Sequence, residues 1–225
     1  KGHPKSSAVL DRLGWLRIYQ GKNELATSQL RRAVWILNNS RGETAETAES
    51  LDNLGTALVY MGEVEEAINV KMRSLFIRES LMGPTARDAG VSLSNLAWLY
   101  SRIGKTDEVV ALRKKALAIF EKELGPDHHD TIVELCNLAQ TYFSSDKLKE
   151  SAELYEKQIA RDDQHKGPLE AGMVNRLVML GSVYHKAGRQ SDAERMLQRA
   201  FETAVRLYES GERGAAISEL ARVAV

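Results

Sequence analysis

The chain is poor in cysteine, in proline and in net charge, and each shortage excludes something. Cys136 is the only cysteine in 225 residues, so no disulfide framework can form within the chain and a reducing, cytoplasmic setting is expected. Thirty-one basic residues meet 31 acidic ones, so no global field draws the chain to nucleic acid or to a membrane surface. No apolar run approaches the roughly 20 residues that a membrane-spanning helix needs. Glycine-rich phosphate loops, a Gly-x-Ser-x-Gly elbow and a His-Glu-x-x-His pair are all missing. No cofactor and no catalysis are therefore expected. His128-His129-Asp130 has the composition of a metal cluster, but adjacent histidines point in different directions, and no metal site is expected there.

What the chain has is repetition. Leu-x-x-Leu-small-x-x-aromatic occurs as Leu93, Leu96, Ala97, Tyr100, as Leu135, Leu138, Ala139, Tyr142, and as Leu177, Leu180, Gly181, Tyr184. An earlier copy is Leu51, Leu54, Gly55, Leu58, and the first is Leu10, Leu13, Gly14 with Arg17 in the aromatic place. The leading leucines lie 41, 42, 42 and 42 residues apart. Three of the four prolines keep the same beat, in Gly83-Pro84, Gly125-Pro126 and Gly167-Pro168. Glycine ends a helix and a proline just beyond cannot continue it. A mid-repeat turn residue also recurs, as Gly21, Gly62, Gly104 and Gly188, with Asp146 in the fourth copy.

Within each period the apolar residues fall at i, i+3, i+4 and i+7, one stripe of an α-helix. A second amphipathic stretch follows the turn: Val109, Leu112, Ala116, Leu117 and Phe120 in one copy, Ala193, Met196, Leu197, Ala200 and Phe201 in another. Each repeat thus reads helix A, turn, helix B, loop. One helix pair cannot bury both stripes, and stacking the next pair builds a continuous core. The small residue in helix A is expected to let the two helices of a pair approach closely.

Leu180, Gly181, Tyr184 and Ala193 resemble the tetratricopeptide repeat. The 42-residue period, with Ser94-Asn95-Leu96-Ala97 and Glu121-Lys122-Glu123-Leu124-Gly125-Pro126-Asp127-His128, resembles the kinesin light chain type. The resemblance implies an all-α, right-handed superhelical solenoid of antiparallel helix pairs. The repeats are set at 8–48 (degenerate), 49–90, 91–130, 131–168 and 169–210. Residues 1–7 are read as an unstructured lead-in. Residues 211–225, with Ile217, Leu220 and Ala221, are read as a capping or partial sixth helix.

In such arrays helix A lines a concave groove that takes a partner protein or peptide, with no nucleic acid and no membrane insertion. The groove stripe would carry Trp15, Asn53, Tyr60, Asn95, Trp98, Arg102, Asn137, Gln140 and Lys186. Asn53, Asn95 and Asn137 are equivalent, and the resemblance implies that they bond a bound peptide backbone; the alternative is that they bond helix to helix. Trp15 and Trp98 are either partner anchors or packed over the next helix. Arg102 and Lys186 either draw acidic residues or face solvent. The expected role is a scaffold or adaptor. The alternatives are a self-associating or autoinhibited array, or the sensor segment of a larger signalling protein.

Overall fold

The computed structural model describes residues 4–82, 87–164 and 171–210. The described residues form α1 (Pro4–Tyr19), α2 (Asn23–Ser40), α3 (Ala45–Met61), α4 (Val64–Met82), α5 (Arg87–Arg102), α6 (Thr106–Glu123), α7 (His129–Ser144), α8 (Leu148–Gln164), α9 (Ala171–Lys186) and α10 (Gln190–Glu209). Odd-numbered helices are the expected helix A and even-numbered ones helix B. The Gly83-Pro84 and Gly167-Pro168 loops and the segment 211–225 lie outside the described residues.

Each helix A ends by the same device. Gly62 has φ 81°, the left-handed conformation that costs a Cβ-bearing residue about 1–2 kcal/mol. The next amide, Glu63, then reaches back to the Leu58 carbonyl at 2.9 Å and satisfies a helix-end acceptor. Lys22 to Arg17, Lys105 to Tyr100 and Arg189 to Tyr184 repeat that bond. In the fourth repeat Asp146 takes the turn with φ 61°, and Lys147 bonds the Tyr142 carbonyl at 2.9 Å. The last residue of the repeated motif, aromatic or not, is therefore the acceptor of this turn.

The chain divides into two compact units, residues 1–131 and 132–225. In the first unit, α1 packs on α2, α3 on α4 and α5 on α6, and successive pairs stack. Its core runs through Leu30, Leu51, Leu54, Leu58, Leu93, Leu96, Ile119 and Phe120. In the second unit α9 packs on α10 and on α8. Tyr155, Ile159, Leu177, Leu180, Tyr184 and Leu207 fill that core.

The small residue of helix A marks the closest approach. A Cβ built on Gly14 would lie 2.5 Å from the Leu30 side chain. One on Gly55 would lie 2.7 Å from Lys71, and one on Gly181 3.2 Å from Leu197.

Four expectations need correction. Residues 4–7 are the first turn of α1, where proline loses no needed hydrogen bond. Leu13 is 36% exposed, because among the described residues only α2 and α3 cover α1. Phe201 is 48% exposed and stands outside the buried stripe of α10. The repeat boundaries at 48/49, 90/91 and 130/131 fall inside α3, α5 and α7; Thr44, for one, already caps α3 by accepting from the Thr47 amide.

Candidate functional site

Four of the nine predicted side chains meet in the first unit. Tyr60 on α3 and Asn95, Trp98 and Arg102 on α5 line one cavity of about 490 Å³ with Thr56, Val59, Leu99 and Lys71. Asn95 and Trp98 share a face one turn apart, and Arg102 follows at i+4. The Arg102 guanidinium lies over the Trp98 ring at 5.3 Å, a cation–π contact that leaves the indole 46% exposed. Tyr60 is also exposed. These are flat, stiff groups already out in solvent, which lose little entropy on contact.

Lys71 forms the floor and was not foreseen. It reaches in from α4, where the other repeats have Leu30, Arg113, Tyr155 and Leu197. Its ammonium donates to the Asp52 carbonyl at 3.1 Å and lies 3.8 Å from the Asp52 carboxylate. Burial holds its pKa below the ordinary lysine value, with Asp52 pulling it up and Arg78 pushing it down. Arg78 donates to the other Asp52 oxygen at 2.7 Å. A cation at this position, shared with Arg113 one repeat on and replaced by Leu30, Tyr155 and Leu197 elsewhere, was the one available signal.

Trp15 lies in a second cavity of the first unit, about 380 Å³, with Asp11, Arg12, Leu37, Arg41, Glu46 and Glu49 among its lining. It stacks on Tyr19 at 5.5 Å and is 38% exposed. Asn53 is not at a groove surface. It is 6% exposed, and its amide donates to Asp11 at 2.8 Å. At this rung the helix-to-helix alternative describes the geometry, because Asp11 on α1 supplies an acceptor. Burial pushes the Asp11 pKa up, against hydrogen bonds from Ser50 and Asn53.

In the second unit Asn137 and Gln140 are exposed on α7. Lys186 is tethered: it donates to the Phe143 carbonyl at 3.3 Å, pairs with Asp146 at 3.0 Å and lies over the Phe143 ring. It ties the end of α9 to the end of α7. Cys136 is half-buried, and burial pushes its thiol pKa up. His128 accepts from the Asp130 amide at 3.1 Å, and Asp130 pairs with Arg87 at 2.6 Å. Among the described residues no three His, Cys, Asp or Glu side chains could hold a metal. No described helix is long and apolar enough to cross a membrane.

A tetratricopeptide repeat family profile matches residues 43–122 and 107–164, and a second one matches 175–211. No curated protein sequence matches the chain. Among solved structures, a candidate kinesin light chain from Podosopora anserina, with nearly identical TPR-like repeats, has a TM-score of 0.79 at 21% identity. That match covers 92% of this chain and 98% of the other. BtubC (BKLC) from P. vanneervenii has a TM-score of 0.73 at 21% identity, covering 88% and 79%. A signal transduction ATPase with a tetratricopeptide repeat sensor, PH0952 from Pyrococcus horikoshii, has a TM-score of 0.73 at 14% identity. It is covered over 34% of its length by 99% of this chain. At these identities the likeness is one of fold.

Proposed function

We propose, for a chain that belongs to the tetratricopeptide repeat family, that it is an interaction scaffold whose first unit grips a segment of a partner protein in the Tyr60–Asn95–Trp98–Arg102 cavity. The carrying observation is that cavity itself. It joins two exposed aromatic rings, a bifunctional amide and two cations in one concave place. Such sites take a partner's apolar side chain against the rings while an amide holds its backbone. Arg102 and the buried Lys71 favour a carboxylate beside that side chain. A cargo or adaptor role in the cytoplasm is part of the same proposal.

Affinity near micromolar, about −8 kcal/mol, suits such a module. Removing one aromatic anchor should cost about 1–2 kcal/mol, roughly tenfold. The test is capture of partners from the source lysate by the unmodified chain and by an Asn95→Ala, Trp98→Ala variant of verified helicity. Loss of one set of proteins with the variant is expected. Capture of the same set by both would move the binding surface elsewhere.

A further inference from the structure

The repeats provide an internal comparison. Gly14 and Gly55 are equivalent, and a Cβ at each would strike Leu30 and Lys71 respectively. The same offset of 41 residues relates Asp11 to Asp52 and Leu37 to Arg78. In the second repeat the acid is neutralised from within: Arg78 bonds Asp52 at 2.7 Å and Lys71 stands at 3.8 Å. In the first repeat both cations are replaced by leucine. Leu30 and Leu37 are almost fully buried, and Leu37 lines the cavity that holds Asp11.

Asp11 consequently has no counter-charge from the described residues. One of its oxygens accepts from Asn53 at 2.8 Å. The Ser50 hydroxyl also bonds the carboxylate, whose other oxygen is buried. Neither Arg12 nor Arg41, which line the same cavity, forms an ion pair with it; Arg41 is taken by Glu46 at 2.5 Å. A half-buried carboxylate with no cation beside it among the described residues is costly, and such a group calls for an explanation. Around it stand Glu49, a second and exposed acid, and the Trp15 ring stacked on Tyr19. Carboxylate beside an exposed indole is the chemistry that receives a guanidinium or an ammonium group.

We infer that the cavity between α1 and α3 is a cation subsite, in which Asp11, Glu49 and Trp15 take an arginine or lysine side chain of the bound segment. The incoming cation supplies the charge that Lys71 and Arg78 supply one repeat later. The two cavities of the first unit then have opposite preferences, basic at α1–α3 and acidic at α3–α5. A groove with alternating polarity selects both the sequence and the direction of its ligand. That the cation comes from a peptide rests on the scaffold reading above; that the cavity prefers a cation does not.

The test therefore uses a small probe. N-acetyl-arginine amide and its neutral counterpart N-acetyl-norleucine amide are titrated into the full chain while the Trp15 indole N–H is followed by NMR. A saturable shift with the arginine amide, at least tenfold stronger than with the norleucine amide, is expected. Asp11→Asn keeps an acceptor for Asn53 and should lose that preference, with the Trp98 indole resonance unmoved as a check on the fold. Equal response to the two amides, or an Asp11→Asn chain that binds arginine amide as before, overturns the subsite. Should the variant not fold, the comparison of the two amides in the unmodified chain decides alone. Neither outcome depends on whether lysate partners are captured at the Trp98 cavity.

Discussion

At the residue scale, the contrast between Asp11 and Asp52 shows how one position changes its work when its neighbours change. Asp52 sits between two cations and ties α3 to α4. Asp11 shares its cavity with Leu37 and, among the described residues, gains the Asn53 amide and the Ser50 hydroxyl. Its pKa is raised, chiefly by burial, so the folded chain holds that proton more tightly than the unfolded chain. Stability from this group is therefore greatest at acid pH, and falls as pH rises from about the ordinary value of 3.8 through the raised one. Asp11→Asn is expected to melt higher than the unmodified chain at neutral pH. The gap should close as the pH is lowered through that window, read by circular dichroism melts across pH. A variant that melts lower at neutral pH would mean that the carboxylate has a partner that stabilises it. The sequence shows the acid at each position, but not its partners, because Lys71 and Arg78 are brought to Asp52 from a different helix.

At the scale of the element, the helix pair is held by one small residue facing one side chain. Gly55 meets the stem of Lys71, whose ammonium is fixed by Asp52, and Gly181 meets Leu197, which can give. Gly55→Ala should destabilise by about 1–3 kcal/mol, the usual cost of overpacking. Gly181→Ala, 3.2 Å from its neighbour, should cost clearly less, and urea denaturation of both variants checks the order. The small-residue position was legible in the sequence from its recurrence alone. The ranking was not, since it depends on which residue each glycine faces and how firmly that residue is held. The turns were as legible. Asp146 was placed at the glycine position of the fourth repeat, and it does take up the left-handed conformation. The periodicity assigned Leu13 and Phe201 to buried stripes that end up exposed, because a stripe is buried only where another helix covers it.

At the scale of the whole molecule, the chain is two compact units built from one kind of repeat. Repeat arrays gain stability from each pair and its nearest neighbours, so damage need not spread. Gly55→Ala should hasten amide hydrogen exchange in α3 and α4 while α9 and α10 keep their protection. Uniform acceleration through all the described helices would mean that the chain opens as one cooperative body. Sequence by itself determined the helical class, the 42-residue period, the turn residues and the close-packing positions, because each is set by contacts within a few dozen residues of chain. It also named four of the eight side chains that line the Trp98 cavity, three of them along one face of α5 that follows from helical spacing. Only the tertiary structure decided that Asn53 turns to Asp11, that Lys186 is tied to the end of α7, that Lys71 floors the cavity, and that Asp11 meets no cation among the described residues. Those outcomes depend on which side chain a second helix presents at each rung, and periodicity carries no information about that.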